Sequence, residues 1–171
     1  MKVVQSLSGD EPPFWKLRNL LAGRQFNAAG IDAPFSVPAL YVPLGKHRKL
    51  LKMVSEIPLT NGRCFPQACD FVDKIISGRA LSTKKPLRET ERHWQELGVN
   101  VRSTLWAGAR GGAAMTSACL TLLAETQCPL WPWKPAGRGL LVEAFPAAQL
   151  RYWKLPHQKY NGKVEGSRAI R

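Results

Sequence analysis

The stretch Ala-Ala-Gly-Ile-Asp-Ala-Pro-Phe-Ser-Val-Pro, residues 28–38, runs from a short apolar segment to an acid and then to a proline-bearing turn. The stretch Gly-Leu-Leu-Val-Glu-Ala-Phe-Pro-Ala-Ala, residues 139–148, has the same order. Such a pattern is typical of a buried strand that carries an acid to the edge of a sheet. We therefore expect Asp32 and Glu143 at strand ends of an α/β sheet, where these folds bind their ligands. The alternative for each acid is a simple cap on the segment that follows, because Asp is common before turns.

Extended and helical patterns alternate along the chain, which favours the α/β class. We expect strands at 2–7, 26–31 and 140–142, and helices at 12–22, 47–57, 66–76, 88–97, 113–124 and 147–153. The first strand, first helix and second strand predict a crossover with parallel neighbouring strands. The side chains expected to face the core from the first helix and from the 113–124 helix are Phe14, Leu17, Leu20 and Leu21, and Met115, Ala118, Cys119, Leu122 and Leu123.

The length of 171 residues suits a single domain over 1–171, with a basic helical insertion at about 44–98. No apolar run approaches the ~18 residues of a membrane span. Because the first residues lack a secretory apolar segment, we expect a cytoplasmic protein. The four cysteines lack the close pairing and the nearby histidines of a zinc site, so we expect reduced, mostly buried thiols.

The chain carries a formal net charge of +13, which predicts attraction to a polyanion. The basic residues are spread over the whole chain, and aromatic side chains that are able to stack on bases lie among them at Trp94, Tyr152, Trp153 and Tyr160. We therefore expect nucleic acid as a partner. The alternative is a basic face that is merely solvated.

Three stretches carry a resemblance to a known family: Ile-Asp-Ala-Pro-Phe-Ser-Val-Pro (31–38), Leu-Arg-Glu-Thr-Glu-Arg (87–92) and Val-Glu-Ala-Phe-Pro-Ala-Ala-Gln-Leu-Arg-Tyr-Trp (142–153). In this order, and over roughly residues 26–165, the chain resembles the domain of unknown function 429 family. That family is a set of predicted nucleases with a ribonuclease H-like fold. The resemblance implies a mixed sheet flanked by helices.

The resemblance also implies roles for individual residues. In such folds, acids from neighbouring strands and one helix gather divalent metals, and hard cations such as Mg²⁺ or Mn²⁺ take oxygen ligands. The implied catalytic acids are Asp32, Glu143 and Glu91, of which Asp32 and Glu143 are the implied metal ligands. The implied substrate-binding residues are Arg88, Arg92, Arg151 and Tyr160. The alternative for Arg88 and Glu91 is an ordinary ion pair at the start of a helix.

The chain departs from the family at both ends. Members normally begin with a strand that carries a Gly-x-Asp signature and end with a helix that bears further aspartates. Here residues 2–7 contain no acid, and no acid follows Glu165. We therefore expect a truncated or divergent member with an incomplete sheet. Such a chain is a poor catalyst unless dimerisation or another polypeptide completes its site.

Three functions stay open from the sequence. The first is a metal-dependent, nuclease-like protein that acts on nucleic acid phosphodiesters, and the second is a non-catalytic nucleic-acid-binding module. The third is a phosphate- or nucleotide-handling enzyme, for which Gly108-Ala-Arg-Gly-Gly112 before a helix is the nearest candidate anion site. The alternative for this glycine cluster is ordinary turn chemistry.

Overall fold

The structure, a computed structural model, describes residues 13–60 and 62–155. Its elements are α1 (Pro13–Ala22), β1 (Ala28–Ile31), a 3₁₀ turn (Leu44–Lys46), α2 (His47–Ser55), α3 (Ala68–Ile76), α4 (Glu89–Glu96), α5 (Ala113–Thr126), β2 (Leu140–Glu143) and α6 (Pro146–Tyr152). The expected mixture of helices and strands is confirmed, and it is compatible with the α/β class. The strand expected at 2–7, and with it the predicted crossover, lies outside the described residues.

The two described strands, β1 and β2, pair directly and in parallel, although about 110 residues separate them along the chain. Their register sets Ile31 opposite Glu143. Asp32 follows Ile31 in the chain, so both acids lie at the carboxyl end of the same strand pair. The prediction that these two acids reach one edge of a sheet is confirmed.

Helix α5 lies at the centre of the fold, and α1, α2 and α3 all pack against it. Its leucines Leu120 and Leu123 are fully buried against apolar side chains of α2 and α3. Three threonines are buried in the same helix, and their hydroxyls donate to backbone carbonyls four residues earlier: Thr116 to Gly112, Thr121 to Ser117 and Thr126 to Leu122. Because each threonine hydroxyl has a hydrogen-bond partner within the helix, α5 can be buried on nearly every side without leaving these polar groups unpaired.

The helices between residues 44 and 98 contribute directly to the core. Leu50 and Val54 of α2, and Phe71 and Ile75 of α3, are each at most 1% exposed. The stretch therefore supplies structural helices to the same apolar cluster that includes Leu141 of β2.

Two predicted core faces are wrong in part. On α1, Leu21 is buried but Leu17 and Leu20 are 40% and 52% exposed, because α1 packs against α5 along one edge and no described residue covers the other edge. On α5, Met115 is 42% exposed because the first turn of the helix borders a cavity, which Met115 lines. None of the helices in the described part of the chain is long and apolar enough to cross a membrane.

Candidate functional site at the strand ends

Asp32 and Glu143 line one cavity of about 320 Å³, which we call the strand-end pocket. Its polar lining comes from Asp32, Arg88, Glu91, Asn100, Arg102 and Glu143. Strand register brings the two acids to this edge, while Arg88 and Glu91 arrive from the start of α4. The pocket therefore joins three of the sequence-predicted acids and one predicted arginine.

Arg88 is the centre of the site. Its Nη2 donates to Glu143 Oε1 at 2.6 Å and its Nη1 to Glu143 Oε2 at 2.8 Å, a bidentate fork. Its Nη1 also donates to Ser36 Oγ at 3.0 Å, and its Nε donates to Glu91 Oε1 at 2.9 Å. Only 11% of the Arg88 side chain is exposed. Three segments distant in sequence are thus held by one guanidinium.

Glu91 also fixes the first turn of α4. Its Oε2 accepts the backbone N–H of Arg88, the residue before the helix, at 2.8 Å. A glutamate at the third helical position commonly makes this contact with an otherwise unpaired amide. The interpretation of Arg88 and Glu91 as an ion pair at a helix start is therefore confirmed, and Glu143 is its third member.

The arginine and the two glutamates of this cluster affect each other's ionisation, as the pKa values of Arg88 and Glu91 show. Burial opposes the charge of Arg88, but hydrogen bonds and attraction to Glu143, and then to Glu91, raise its pKa above the usual value. Burial raises the pKa of Glu91, and the contacts with Arg88 oppose that rise. Removal of the arginine would leave two carboxylates close together without a counter-charge.

The oxygens of Glu143 and Glu91 are already used by other groups. Glu143 Oε2 accepts from both the Phe35 N–H, at 2.8 Å, and Arg88, while Oε1 accepts from Arg88. A cation at Glu143 would have to displace the guanidinium or lie beside its positive charge. Within residues 13–60 and 62–155, no group of three His, Cys, Asp or Glu side chains has an arrangement that would hold a metal. These residues do not fit a bound Mg²⁺ or Mn²⁺ while Arg88 holds Glu143.

Asp32 differs from the other two acids because its side chain is exposed at the pocket. Partial burial raises the pKa of its carboxyl. Among the acids that line the strand-end pocket, Asp32 is therefore the one presented to a ligand.

The structure adds residues that the sequence did not single out. Phe35, whose N–H donates to Glu143, accepts at its carbonyl oxygen from His47 Nε2, at 2.6 Å. The buried imidazole of His47 stacks on Trp133, with ring centroids 3.8 Å apart. Burial lowers the pKa of His47, and the hydrogen bond to Phe35 opposes that shift. No spacing in the sequence signals this connection, because its members come from distant segments.

A larger cavity of about 670 Å³ adjoins the strand-end pocket, and we call it the aromatic groove. Its rings are those of Trp94, Trp131, Trp133 and Phe145. Arg88 and Glu143 line both cavities, so their ion pair forms a shared wall. Trp131 is 55% exposed, which leaves its ring accessible from solvent.

Two of the other predicted substrate-binding residues, Arg92 and Arg151, do not line the strand-end pocket. Arg92 is exposed and pairs with Glu89 at 2.9 Å. Arg151 donates from Nε to the Leu97 carbonyl at 3.0 Å, just after the end of α4. A cation is favourable there, because the last carbonyl groups of a helix lack partners within the helix. Tyr160 lies outside the described residues.

Close packing of the backbone explains why glycines occupy positions 111 and 112, just before α5. A Cβ atom at Gly111 would collide with the carbonyl oxygen of Trp106, and one at Gly112 would lie 2.7 Å from the carbonyl oxygen of Ser103. The backbone amides of both glycines donate to nearby carbonyl oxygens, Gly111 to Gly108 and Gly112 to Ser103. This arrangement supports turn chemistry rather than a phosphate loop, because these amides are already used.

All four cysteines are free, as expected, but only Cys119 and Cys128 are buried. The expectation of mostly buried thiols is therefore only half correct, since Cys69 is exposed and Cys64 is half-buried. Burial, with a further contribution from Glu143 that Arg88 opposes, raises the pKa of Cys119 to about 12. Burial therefore disfavours the thiolate form of Cys119, which is the reactive one.

Comparisons with models of protein families, with curated proteins and with solved structures give no match for this chain. The resemblance to the domain of unknown function 429 family stays a prediction that rests on the quoted residues.

Proposed function

We propose that this chain is a nuclease-like protein of the ribonuclease H-like type, which binds nucleic acid beside its strand-end pocket without metal-dependent cleavage. The observation that carries the proposal is the convergence of Asp32, Glu143, Glu91 and Arg88 at the carboxyl ends of a parallel strand pair. Ligands of open α/β sheets bind at this place. The family resemblance supplies the link from this edge of the sheet to nucleic acid, which the proposal places beside the pocket.

The charge of the chain supports nucleic acid as the ligand. A net charge of +13 on 171 residues attracts a polyanion from a distance, and its effect weakens with added salt. The charge is not concentrated at the pocket, where the acids Asp32, Glu91 and Glu143 face the arginines Arg88 and Arg102. Backbone phosphates therefore have no electrostatic reason to enter this pocket.

The aromatic groove suits bases better than phosphates. Stacking of a base on an aromatic ring contributes roughly 1–3 kcal/mol and needs no particular base. Trp131 offers an exposed ring, and Trp94 packs edge-on against Phe145 with centroids 6.5 Å apart. Since bases in a duplex are already stacked, the groove favours single strands.

The contacts of Arg88 support binding rather than cleavage. Glu143, an implied metal ligand, is held by a bidentate arginine and by the Phe35 amide. Hydrolysis with two metals needs carboxylate oxygens that are free to coordinate both ions. We therefore expect the divalent metal to be dispensable for binding.

Replacement of Trp131 tests the groove directly. We expect Trp131→Ala to weaken the binding of a labelled single-stranded oligonucleotide about fivefold or more, as the loss of one stacked base predicts. Duplex binding is expected to change little. Fluorescence anisotropy with both oligonucleotides gives the two dissociation constants.

Trp153→Ala is the matched control, because Trp153 is 59% exposed, as Trp131 is 55%, but does not line the aromatic groove. We expect this variant to bind like the unmodified protein. Equal losses in the two variants, or no binding of either oligonucleotide at low salt, would contradict the proposal.

A further inference from the structure

A third cavity, of about 310 Å³, lies between the 3₁₀ turn, α2 and the end of α3. Three basic side chains line it: Lys46, Lys49 and Arg79. We call it the cationic cavity. In the described part of the chain its lining contains no acid, so its three charges are not neutralised from within.

Arg79 is held in a fixed position at this cavity. Its Nε donates to the Ile76 carbonyl at 3.0 Å, its Nη1 to the Leu40 carbonyl at 3.1 Å and its Nη2 to the Tyr41 carbonyl at 2.9 Å. Its guanidinium also lies over the Tyr41 ring, 5.3 Å from the centroid. Three of the five N–H donors of an arginine are thus used, and the partners are neutral. The full positive charge stays available to a ligand.

The floor of the cationic cavity consists of buried side chains. Tyr41, Val42 and Ile75 line it, and each is at most 6% exposed. The Tyr41 hydroxyl accepts the Ser82 N–H at 2.7 Å, which fixes the ring beneath Arg79. A cation that is held in place before binding loses less entropy when it binds an anion.

We propose that the cationic cavity is a phosphate-binding site, separate from the strand-end pocket. Arg79 provides the fixed charge, while Lys46 and Lys49 close on the phosphate oxygens as flexible point charges. The phosphate belongs either to a free phosphate compound or to a nucleic acid backbone, and in the second case the inference rests on the proposed function.

The position of the cavity fits a backbone phosphate. Leu44 lines the aromatic groove, while its neighbours Pro43 and Lys46 line the cationic cavity. Trp133 Nε1 donates to the Leu44 carbonyl at 2.8 Å, so this short turn is fixed between the two cavities. A single strand with a base in the aromatic groove therefore has a cationic site within reach of its backbone.

Inorganic pyrophosphate is the probe for the test, titrated into the protein by isothermal titration calorimetry at low salt. The test variant is Lys46→Gln/Lys49→Gln, which leaves Arg79 and the core unchanged. The control is Arg48→Gln/Lys52→Gln, which removes the same charge from α2 at exposed positions that do not line the cavity. We expect a tenfold or larger loss of affinity in the test variant and less than a twofold change in the control.

A competition experiment identifies the source of the phosphate. Displacement of pyrophosphate by a single-stranded oligonucleotide assigns the site to a nucleic acid backbone, and lack of displacement assigns it to a free phosphate compound. The inference is overturned if pyrophosphate does not bind, or if both double variants lose affinity equally. Both of these outcomes concern the cationic cavity alone. The Trp131→Ala experiment tests the proposed function independently, because it measures oligonucleotide binding without pyrophosphate.

Discussion

Arg88 connects the residues of the candidate site. Its side chain reaches Glu143 at the end of β2, Ser36 in the segment after β1 and Glu91 in α4. A buried arginine with two carboxylate partners stabilises mainly by avoiding uncompensated charge, because burial of an unpaired ion is costly. The residue therefore determines both the shape of the strand-end pocket and the availability of its acids.

Loss of Arg88 is expected to destabilise the fold. Arg88→Ala should lower the free energy of unfolding by about 3 kcal/mol, since it leaves Glu91 and the partly exposed Glu143 without their shared cation. Urea denaturation followed by tryptophan fluorescence measures the change.

Arg92→Ala is the control, because Arg92 lies on the same helix and forms its ion pair with Glu89 at the surface. An exposed pair contributes about 0–1 kcal/mol. Similar effects of the two substitutions would show that the Arg88 cluster is not a buried network.

The sequence pointed to part of this site. Short apolar runs that end in an acid predicted Asp32 and Glu143, and an ion pair of Arg88 with Glu91 was the alternative to the roles that the family resemblance implies for them. Neither interpretation predicted that Arg88 also binds Glu143, because that contact joins positions 55 residues apart. The stack of His47 on Trp133 was missed for the same reason, since local patterns carry no information on which segments meet in space.

At the scale of elements, the glycine-rich segment before α5 sets where the central helix begins. Gly111 and Gly112 pass so close to the carbonyl groups of Trp106 and Ser103 that neither position has room for a side chain. This close approach lets the chain turn sharply into Ala113, which is fully buried. The segment is thus part of the packing of α5.

A methyl group at Gly111 is expected to disrupt this turn. Gly111→Ala should destabilise the protein by about 2 kcal/mol or more, because the Trp106 carbonyl is backbone and cannot move aside cheaply. Thermal unfolding followed by circular dichroism is the measurement.

Gly45→Ala is the matched control, since a Cβ atom at Gly45 meets nothing within 4 Å. We expect it to leave stability unchanged or slightly raised. If Gly111→Ala unfolds at the same temperature as Gly45→Ala, the segment has more freedom than its contacts indicate.

Local patterns predicted most of the described helices and strands, but they predicted the first and last residues of these elements less accurately. The helices α2, α3 and α4 were predicted to within a few residues, the last two with the help of Gly78 and Gly98 after them. The expected end of α5 at residue 124 was two residues early, because the helix ends at a left-handed Gln127 rather than at a glycine or proline. The exposed Leu17 and Leu20 show that periodicity identifies an apolar face but not what covers it.

For the whole molecule, the proposed function has the aromatic groove and the cationic cavity share the binding of nucleic acid. The aromatic groove offers rings to bases and the cationic cavity offers charge to phosphates, while the strand-end pocket presents Asp32, which this binding does not require. The excess of basic residues then acts at long range, as attraction that salt weakens. A second copy or another polypeptide that completes the site stays a prediction from the sequence.

An assay of binding and cleavage with labelled single-stranded and duplex DNA and RNA tests whether the protein binds nucleic acid without cutting it. It compares the unmodified protein with Asp32→Asn, with and without Mn²⁺ and with a chelator. We predict salt-sensitive binding, strongest for single strands, that neither the chelator nor Asp32→Asn abolishes, and no cleavage. Cleavage that requires Mn²⁺ and is lost in Asp32→Asn would contradict this, because it would show that Arg88 releases Glu143 to form a working metal site.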